Sequence, residues 1–362
     1  MFKKYDPLKD KMFQVMDDDG KIIDSALKPT LPDQEIVAAY KQMQFARTAD
    51  LMAVSYQRQG RMYTYPPNLG QEAVAVAAGQ IMRKEDWLIP AFREMAAYLS
   101  KGAKLSDLFL YWGGYENGSL FSGAPNFLPF AVPIASQLPH AVGIGYAIKY
   151  RKEDRVVFAF VGDGGTSEGD FQEALNFASL WQVPVIFIIQ NNQFAISVPV
   201  KKQTASANLA MKAVAYGLPG IKADGNDFFA MHAVITEAFD HARKGNGPVL
   251  IEALTFRRGA HTTSDDPTLY RTEEEEKQWE VKDPVKRLRQ YLVARKLWQE
   301  KDDEPLLEQY KKEVDKEFAV YENYPAYKLE DVFRFQYKDV PTDLKRQQVE
   351  YEKFLNSREV RQ

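Results

Sequence analysis

The sequence predicts an α/β fold in which helices flank a doubly wound, mainly parallel sheet. Residues 155–161, apart from Arg155, and residues 185–189 are apolar runs rich in β-branched and aromatic side chains, as expected of strands buried on both faces. Between them, residues 168–181 carry apolar side chains at helical spacing. A strand, a helix and a strand in this order favour two parallel strands joined by a right-handed crossover. The same alternation continues to residue 256, so we expect one extended sheet.

The remaining elements follow from apolar periodicity and from residues that begin or end helices. Asp33 is placed to cap a long helix that runs to Gln59 and ends at Gly60. Residues 111–133 hold many Gly, Pro, Asn and aromatic residues without a period. Irregular segments of this length are often functional, so we expect this one to line a site. Helices are further predicted at 71–82, 92–102, 207–217 and 228–244, and strands at 221–223 and 249–256.

The chain is predicted to have three parts. Residues 1–30 form a charged, extended N-terminal arm, residues 31–272 form the α/β domain, and residues 273–362 form a helical C-terminal extension packed on the same domain. Thr272 and Glu275 have the spacing of a capping box, which predicts that the extension begins with a helix.

Composition excludes several classes of function. With 362 residues, of which 45% are hydrophobic, the chain can bury a sizeable core. A net charge of -3 gives no electrostatic reason to expect binding to nucleic acid or to an anionic membrane. The absence of cysteine excludes disulfides, a thiolate nucleophile and cysteine-ligated zinc. No apolar signal core or membrane span is apparent, so we expect a cytoplasmic protein.

Polar residues follow two of the predicted strands where each one ends. The Gly-Asp-Gly-Gly sequence at 162–165 follows the first strand, and Asn192 follows the second. In parallel sheets, ligands bind beyond the carboxyl ends of the strands. Asp163 supplies a carboxylate and Asn192 an amide oxygen, which suit Mg²⁺, while the glycines let a phosphate approach the backbone. The pattern predicts a site for a metal and a diphosphate.

Other interpretations of these residues stay open at this point. Asp-Gly is common in turns and Asn-Asn in loops, so each pair alone is weak. A magnesium-dependent nucleotide enzyme would use the same phosphate chemistry, but the P-loop sequence is absent and Ser167 occupies the third glycine position of the dinucleotide pattern. A structural subunit that kept the fold and lost the site is a third possibility.

The spacing of the two motifs resembles that of a known family. A Gly-Asp-Gly followed about thirty residues later by Asn-Asn is similar to the thiamin diphosphate fingerprint, and residues 190–197 resemble the alpha subunits of heterotetrameric 2-oxo acid dehydrogenases. Pyruvate-specific members are the nearest resemblance, with branched-chain members as the alternative because residues 136–143 resemble them too. The resemblance also covers residues 58–61, 68–73, 92–94, 247–252 and 261–267.

The resemblance implies an activity and a set of partners. It implies the thiamin-diphosphate-binding fold, with thiamin diphosphate and Mg²⁺ as cofactors. A beta subunit would complete an alpha2-beta2 heterotetramer and supply the glutamate that activates the cofactor. The reaction implied is oxidative decarboxylation of pyruvate, a small 2-oxo acid, with reductive acetylation of a lipoyl domain. The acyltransferase core that carries this domain would bind through its peripheral-subunit-binding domain.

The resemblance also assigns roles to individual residues. It implies catalytic or loop-ordering roles for His261, Tyr270 and Arg257, with Asp265 as a partner. His261 begins a polar loop after a buried strand, where an imidazole that titrates at about pH 6.5 can face substrate. Several relatives carry a histidine where this chain has Asn117, which puts a proton-transfer role there in doubt. Metal ligands are implied at Asp163, Asn192 and the carbonyl of Phe194. Cofactor contacts are implied at Phe92, Arg93, Val132, Ile134, Gly162, Asp163, Gly164, Gly165, Asn192 and His261.

Overall fold

Five parallel strands form the central sheet in the computed structural model, which describes residues 1–121, 123–130 and 132–359. Their order is β1-β2-β3-β7-β6, and every neighbouring pair is parallel. A two-stranded antiparallel pair, β4 and β5, follows β3 in the chain. The strands are β1 (Trp87–Ile89), β2 (Val157–Gly162), β3 (Val185–Asn191), β4 (Phe194–Ala195), β5 (Val198–Pro199), β6 (Gly220–Asp224) and β7 (Val249–Leu254).

Thirteen α-helices are found among the described residues. They are α1 (Asp33–Arg58), α2 (Glu72–Ile81), α3 (Met95–Lys101), α4 (Leu105–Trp112), α5 (Gln137–Arg151), α6 (Gly169–Trp181), α7 (Lys212–Ala215), α8 (Phe228–Arg243), α9 (Glu273–Val281), α10 (Pro284–Ala294), α11 (Asp303–Glu322), α12 (Leu329–Phe333) and α13 (Thr342–Glu359). In the part of the chain that the structure describes, no helix is long and apolar enough to cross a membrane.

Both faces of the sheet are covered by helices, which confirms the predicted fold class. Ile186 and Ile188 of β3 belong to one apolar cluster together with residues of α1, α2 and α8. Phe187 and Ile189 belong to a second cluster with residues of α5 and α6. Alternate residues of a strand point to opposite faces, and all four of these side chains are fully buried. The apolar run in the sequence therefore reflects a strand with no solvated face.

The register of the sheet brings three strand ends to one edge. Gly162 at the end of β2 pairs with Gln190 of β3, and Asn191 pairs with Leu254 at the end of β7. The segments that follow these strands consequently leave the sheet side by side. This edge holds the Gly-Asp-Gly-Gly sequence and Asn192, as the alternation of strands and helices predicted.

Several predicted helices are confirmed, and some details are wrong. The helix from residue 33 is α1, but Asp33 is its first residue and Pro32 precedes it, so no side chain caps it. The helix predicted from Phe92 begins at Met95, which leaves Phe92 in a loop. Residues 207–217 form only a short 3-10 turn and α7. The sequence pattern did not predict β1, α4 up to residue 110, or any of α5.

The first thirty residues are more firmly packed than a charged arm. Phe13, Val15 and Met16 are fully buried. Phe13 makes a parallel bridge to Ala223 of β6, and Asp227 accepts the N–H groups of Val15 and Met16 at 2.7 and 2.6 Å. The segment is thus fixed beside β6 by one backbone bridge and by Asp227, which satisfy its buried backbone groups.

The chain forms two compact units, Met1–Tyr321 and a segment that begins at Glu322. The predicted capping box is confirmed, since Thr272 accepts the Glu275 N–H at 3.2 Å and opens α9. The second unit contains α12 and α13. The three-part division predicted from the sequence stays a prediction.

Candidate active site

A cavity of about 250 Å³ opens at the carboxyl edge of the sheet. Segments after four strands meet there, together with the start of α2 and the turn into α5. The lining comprises Gln71, 91–94, 134, 135, 137, 161–165, Glu168, Gln190, Asn192, 194–196, Arg257 and His261.

One side of the cavity gathers oxygen atoms, and we call Asp163, Asn192 and Phe194 the acceptor wall. The Asn192 side-chain oxygen lies 3.1 Å from the Phe194 carbonyl oxygen and 3.3 Å from Oδ1 of Asp163. The Asn192 side-chain nitrogen lies on the other side and donates to Oε1 of Gln71 at 3.2 Å. Three acceptors face one another without a hydrogen between them.

Two orientations of the Asn192 amide satisfy these positions. If the amide is turned over, its nitrogen donates to Phe194 O and to Asp163 Oδ1. In the orientation described above, the Asn192 oxygen accepts the Phe194 N–H at 3.3 Å and the Phe194 carbonyl accepts from Arg257 at 3.3 Å. The three oxygens still face one another, and a cation among them would offset their repulsion. Mg²⁺ takes about six oxygen ligands at ~2.1 Å, so adjacent ligands lie about 3 Å apart. The spacing and chemistry of the acceptor wall fit such an ion.

Asp163 is the one carboxylate of the acceptor wall. It is 2% exposed, and burial raises the pKa of its carboxyl to about 6. Gln203 donates to its Oδ2 at 3.0 Å, which leaves Oδ1 directed toward Asn192. Burial of a negative charge is costly unless a positive partner compensates for it, so the position favours a bound cation. Among the described residues no cluster of three His, Asp or Glu forms a further metal site.

The glycines beside Asp163 serve two different purposes. A Cβ atom on Gly164 would lie 2.6 Å from Ala195 Cβ, and one on Gly165 would lie 2.5 Å from Val161 Cγ2, so both positions are required by packing. A Cβ on Gly162 would meet no atom within 4 Å although this residue lines the cavity. Gly162 therefore leaves open space where a ligand can approach the backbone.

A second group of cavity residues carries cationic donors, and we call Arg93, Arg257 and His261 the donor wall. Arg93 Nη2 lies 3.1 Å from His261 Nδ1, and Arg257 Nη1 lies 3.5 Å from the same nitrogen. Arg257 also donates to the carbonyl of Phe194 at 3.3 Å, which joins the two walls. Burial, followed by the charge of Arg257, lowers the pKa of Arg93 to about 10. Two arginines held this close favour an anion between them.

His261 is a neutral donor in this setting, contrary to the expectation that it titrates near neutrality. Burial, followed by the charges of Arg93 and Arg257, lowers the pKa of its imidazole to about 4. Because guanidinium groups can only donate, Nδ1 of His261 must accept, and the proton therefore resides on Nε2. The ring can offer Nε2–H to a ligand but is a weak base at pH 7.

Asp265 and Tyr270 hold the loop that carries His261. Asp265 accepts the His261 N–H at 2.8 Å and also accepts the Tyr270 hydroxyl, which in turn receives Arg257 Nη2 at 2.8 Å. Neither residue lines the cavity. Their contacts fix the arginine and the backbone of the loop.

Comparison with known proteins identifies the family. A family model described as the dehydrogenase E1 component matches residues 40–330, which is most of the chain. The chain belongs to the dehydrogenase E1 component family. Membership confirms the resemblance from which the fold and the thiamin diphosphate dependence were predicted.

Similar proteins in bacteria cover nearly the whole chain. The pyruvate dehydrogenase E1 component subunit alpha of Acholeplasma laidlawii is 44% identical over 94% of this chain and 99% of its own length. The protein of the same name in Mycoplasma pneumoniae is 41% identical over 95% and 96% of the two chains. The one in Staphylococcus aureus is 38% identical over 93% and 91%.

Some residues predicted for the E1 site lie elsewhere. Phe92 and Ile134 line the cavity, but Val132 does not and its side chain is 61% exposed. None of the described residues from 111 to 133 lines this cavity, so the expectation that the segment lines the site stays a prediction. Asn117 lies in a 3-10 turn outside the lining. Residues 134, 135 and 137, at the turn into α5, line the cavity instead.

Four further residues of the cavity were not predicted as site residues. Gln71, Gln137 and Gln190 are each at most 4% exposed, and each has at least one amide atom without a partner in the protein. Glu94 is 2% exposed, and burial raises the pKa of its carboxyl to about 7. Single glutamines carry no spacing signal, so only the assembled cavity distinguishes them. Gln71 and Glu94 do fall inside segments that resemble the family.

Proposed function

We propose that the chain is the alpha subunit of a pyruvate dehydrogenase E1 component that holds thiamin diphosphate and Mg²⁺ at the edge of the sheet. Identity of 38–44% to relatives of that name, over more than nine-tenths of each chain, carries the proposal. The two walls of the cavity support it, because a metal diphosphate is cationic at one end and anionic at the other. Nothing in these relatives favours the branched-chain alternative.

The acceptor wall would hold the metal. Asp163, Asn192 and the carbonyl of Phe194 would supply three oxygens, leaving the remaining positions to diphosphate and water. Arg93 and Nε2–H of His261 would donate to diphosphate oxygens on the other side, and Gly162 would leave room for them. Arg257 would keep His261 neutral and hold the Phe194 carbonyl in place. Thiamin diphosphate, once bound, supplies the electron sink for decarboxylation.

This chain would contribute only part of the catalytic machinery. Its residues would position the diphosphate end, exclude water from it, and keep the loop of His261 ordered. The beta subunit would supply the activating glutamate and close the site in an alpha2-beta2 heterotetramer. The acetyl group would pass to a lipoyl domain of the acyltransferase core, whose peripheral-subunit-binding domain would anchor the E1 component. We place the reaction in the cytoplasm.

Co-expression with the beta subunit tests the proposal. Release of CO₂ and reduction of an artificial electron acceptor should require pyruvate, thiamin diphosphate and Mg²⁺ together. The alpha chain alone should be inactive and should bind the cofactor weakly in calorimetry. Full activity of the isolated chain would contradict the shared site. Faster turnover of branched 2-oxo acids than of pyruvate would overturn the substrate assignment.

A further inference from the structure

Gln71 lies directly behind the acceptor wall. It is 1% exposed, and its Oε1 accepts the side-chain N–H of Asn192 at 3.2 Å. Its own Nε2 has no partner in the protein, although the residue lines the cavity. A buried amide donor without a partner is costly, so the protein keeps Gln71 in this place against a stability penalty.

A buried carboxylate fixes the backbone of the turn that carries Gln71. Asp50 is 1% exposed and accepts the N–H groups of Asn68 and Leu69 at 2.7 and 3.1 Å, as well as the Tyr65 hydroxyl at 2.8 Å. These contacts occupy both of its oxygens. The turn into α2 is therefore held by one carboxylate on α1, which restricts the backbone next to Gln71.

The same turn also packs against the segment that follows β7. Gly70 has a φ of +96°, and a Cβ there would lie 2.5 Å from the carbonyl oxygen of Phe256. Thr255 Oγ1 donates to the Gly70 carbonyl at 2.9 Å, and Glu72 accepts the Gly70 N–H at 3.1 Å. Only glycine satisfies this close approach, so the position of the next residue is set by the fold.

The orientations of the two amides are coupled. When Gln71 presents its oxygen to Asn192, the Asn192 oxygen must face Asp163 and Phe194, which is the orientation a cation requires. When Asn192 turns over, its oxygen faces Gln71, which must then present its nitrogen. An amide can do either, whereas a carboxylate can only accept and an apolar side chain can do neither.

We propose that Gln71 is a positioning residue that turns the Asn192 oxygen toward the metal. The inference rests on the proposed function, because it takes Asn192 as a metal ligand. Gln71 touches Asn192 but does not belong to the acceptor wall. Residues that orient metal ligands in this way typically change metal affinity about 10–100-fold when they are replaced.

Two substitutions at position 71 separate orientation from packing. Gln71→Met has a similar length but no acceptor, so Asn192 can turn its nitrogen to Asp163, and the dissociation constant for Mn²⁺ should rise about tenfold. Gln71→Glu keeps an acceptor and should retain the wild-type affinity or improve it. Mn²⁺ is titrated into the complex with the beta subunit, in the presence of thiamin diphosphate, and free Mn²⁺ is measured by electron paramagnetic resonance.

Gln80→Met provides the matched control on α2. Gln80 donates to Gln42 and to the Glu35 carbonyl outside the cavity, so its loss should change stability without changing Mn²⁺ affinity. Equal Mn²⁺ affinity in Gln71→Met and wild type would overturn the inference. It would also be overturned if Gln71→Glu lost as much Mn²⁺ affinity as Gln71→Met. A wild-type complex that shows no metal-dependent pyruvate decarboxylation would instead contradict the proposed function.

Discussion

The acceptor wall and the donor wall face the same cavity but are built in different ways. The acceptor wall comes from one continuous stretch, Asp163 to Phe194, in which a single crossover helix separates the two strands. The donor wall joins Arg93 and His261, which are 168 residues apart. One strand-helix-strand unit supplies every residue of the first wall, although Gln71 and Arg257 contact it from distant segments. The second wall exists only once the segments after β1 and β7 have come together.

The charges of the two walls differ as well. Burial raises the pKa of Asp163 on one side, and burial lowers the pKa values of Arg93, Arg257 and His261 on the other. Each wall holds groups whose charged forms are disfavoured until a ligand of opposite charge arrives. A ligand with a cationic and an anionic end relieves both sides at once. Substitutions should therefore separate metal binding from diphosphate binding.

Asp163→Asn should have the largest effect, because it removes the carboxylate of the acceptor wall. Activity and Mn²⁺ binding should fall by more than the roughly 100-fold that loss of an outer-shell residue causes. Since burial raises the Asp163 pKa, ionised Asp163 destabilises the fold above about pH 6. The unfolding free energy at pH 8 should consequently not decrease, as measured by chemical denaturation. The exposed Glu173→Gln on α6 is the control.

Arg93→Met should have the second largest effect, and it should weaken diphosphate binding without weakening metal binding. Thiamin diphosphate affinity should fall about 10–100-fold, as for loss of a hydrogen bond to a charged group. Removing the positive charge should also raise the His261 pKa from about 4 toward its ordinary value, although burial prevents full recovery. Calorimetry measures the thiamin diphosphate affinity, and NMR of labelled histidine measures the His261 pKa. If Arg93→Met also lost Mn²⁺ binding in an assay without thiamin diphosphate, the two walls would not act separately.

Gly162→Ala should have a moderate effect on binding and little effect on stability. The added methyl group meets no protein atom within 4 Å, so the free energy of unfolding should change by no more than about 0.5 kcal/mol. Thiamin diphosphate affinity should fall about tenfold, because an extra methyl group in a filled site is destabilising. Gly169→Ala, at the exposed start of α6, is the matched control. Unchanged cofactor affinity would show that the open space is not used by the ligand.

Tyr270→Phe should have the smallest effect, because Tyr270 acts through Arg257. Loss of the hydroxyl removes one hydrogen bond to Arg257 and one to Asp265, each contributing about 0.5–1.5 kcal/mol. The KM for pyruvate and the cofactor dissociation constant should rise a few-fold, while Mn²⁺ affinity stays constant. Proteolysis of the loop that follows His261 should become faster. A large loss of metal affinity would show that the loop supports both walls.

The contrast between the walls also explains what the sequence could predict. The β2–α6–β3 unit was predictable because its strands are buried on both faces and its helix has a clear apolar stripe. Three-residue β1 is too short to show alternation, and α5 contains Pro139 and two glycines that resemble a loop. Arg93 and His261 have no sequence spacing that links them, so the donor wall was predicted only from family resemblance. Gln71 became visible only through its contact with Asn192.

The separation of the donor wall along the chain has a consequence during synthesis. A nascent chain that has emerged as far as Phe194 already contains every residue of the acceptor wall, but it still lacks β7, Arg257 and His261. The ribosome must add 76 more residues, through Tyr270, before the diphosphate side can form. We therefore expect cofactor capture to come late in synthesis, and a messenger truncated before β7 should encode a protein that does not retain the coenzyme.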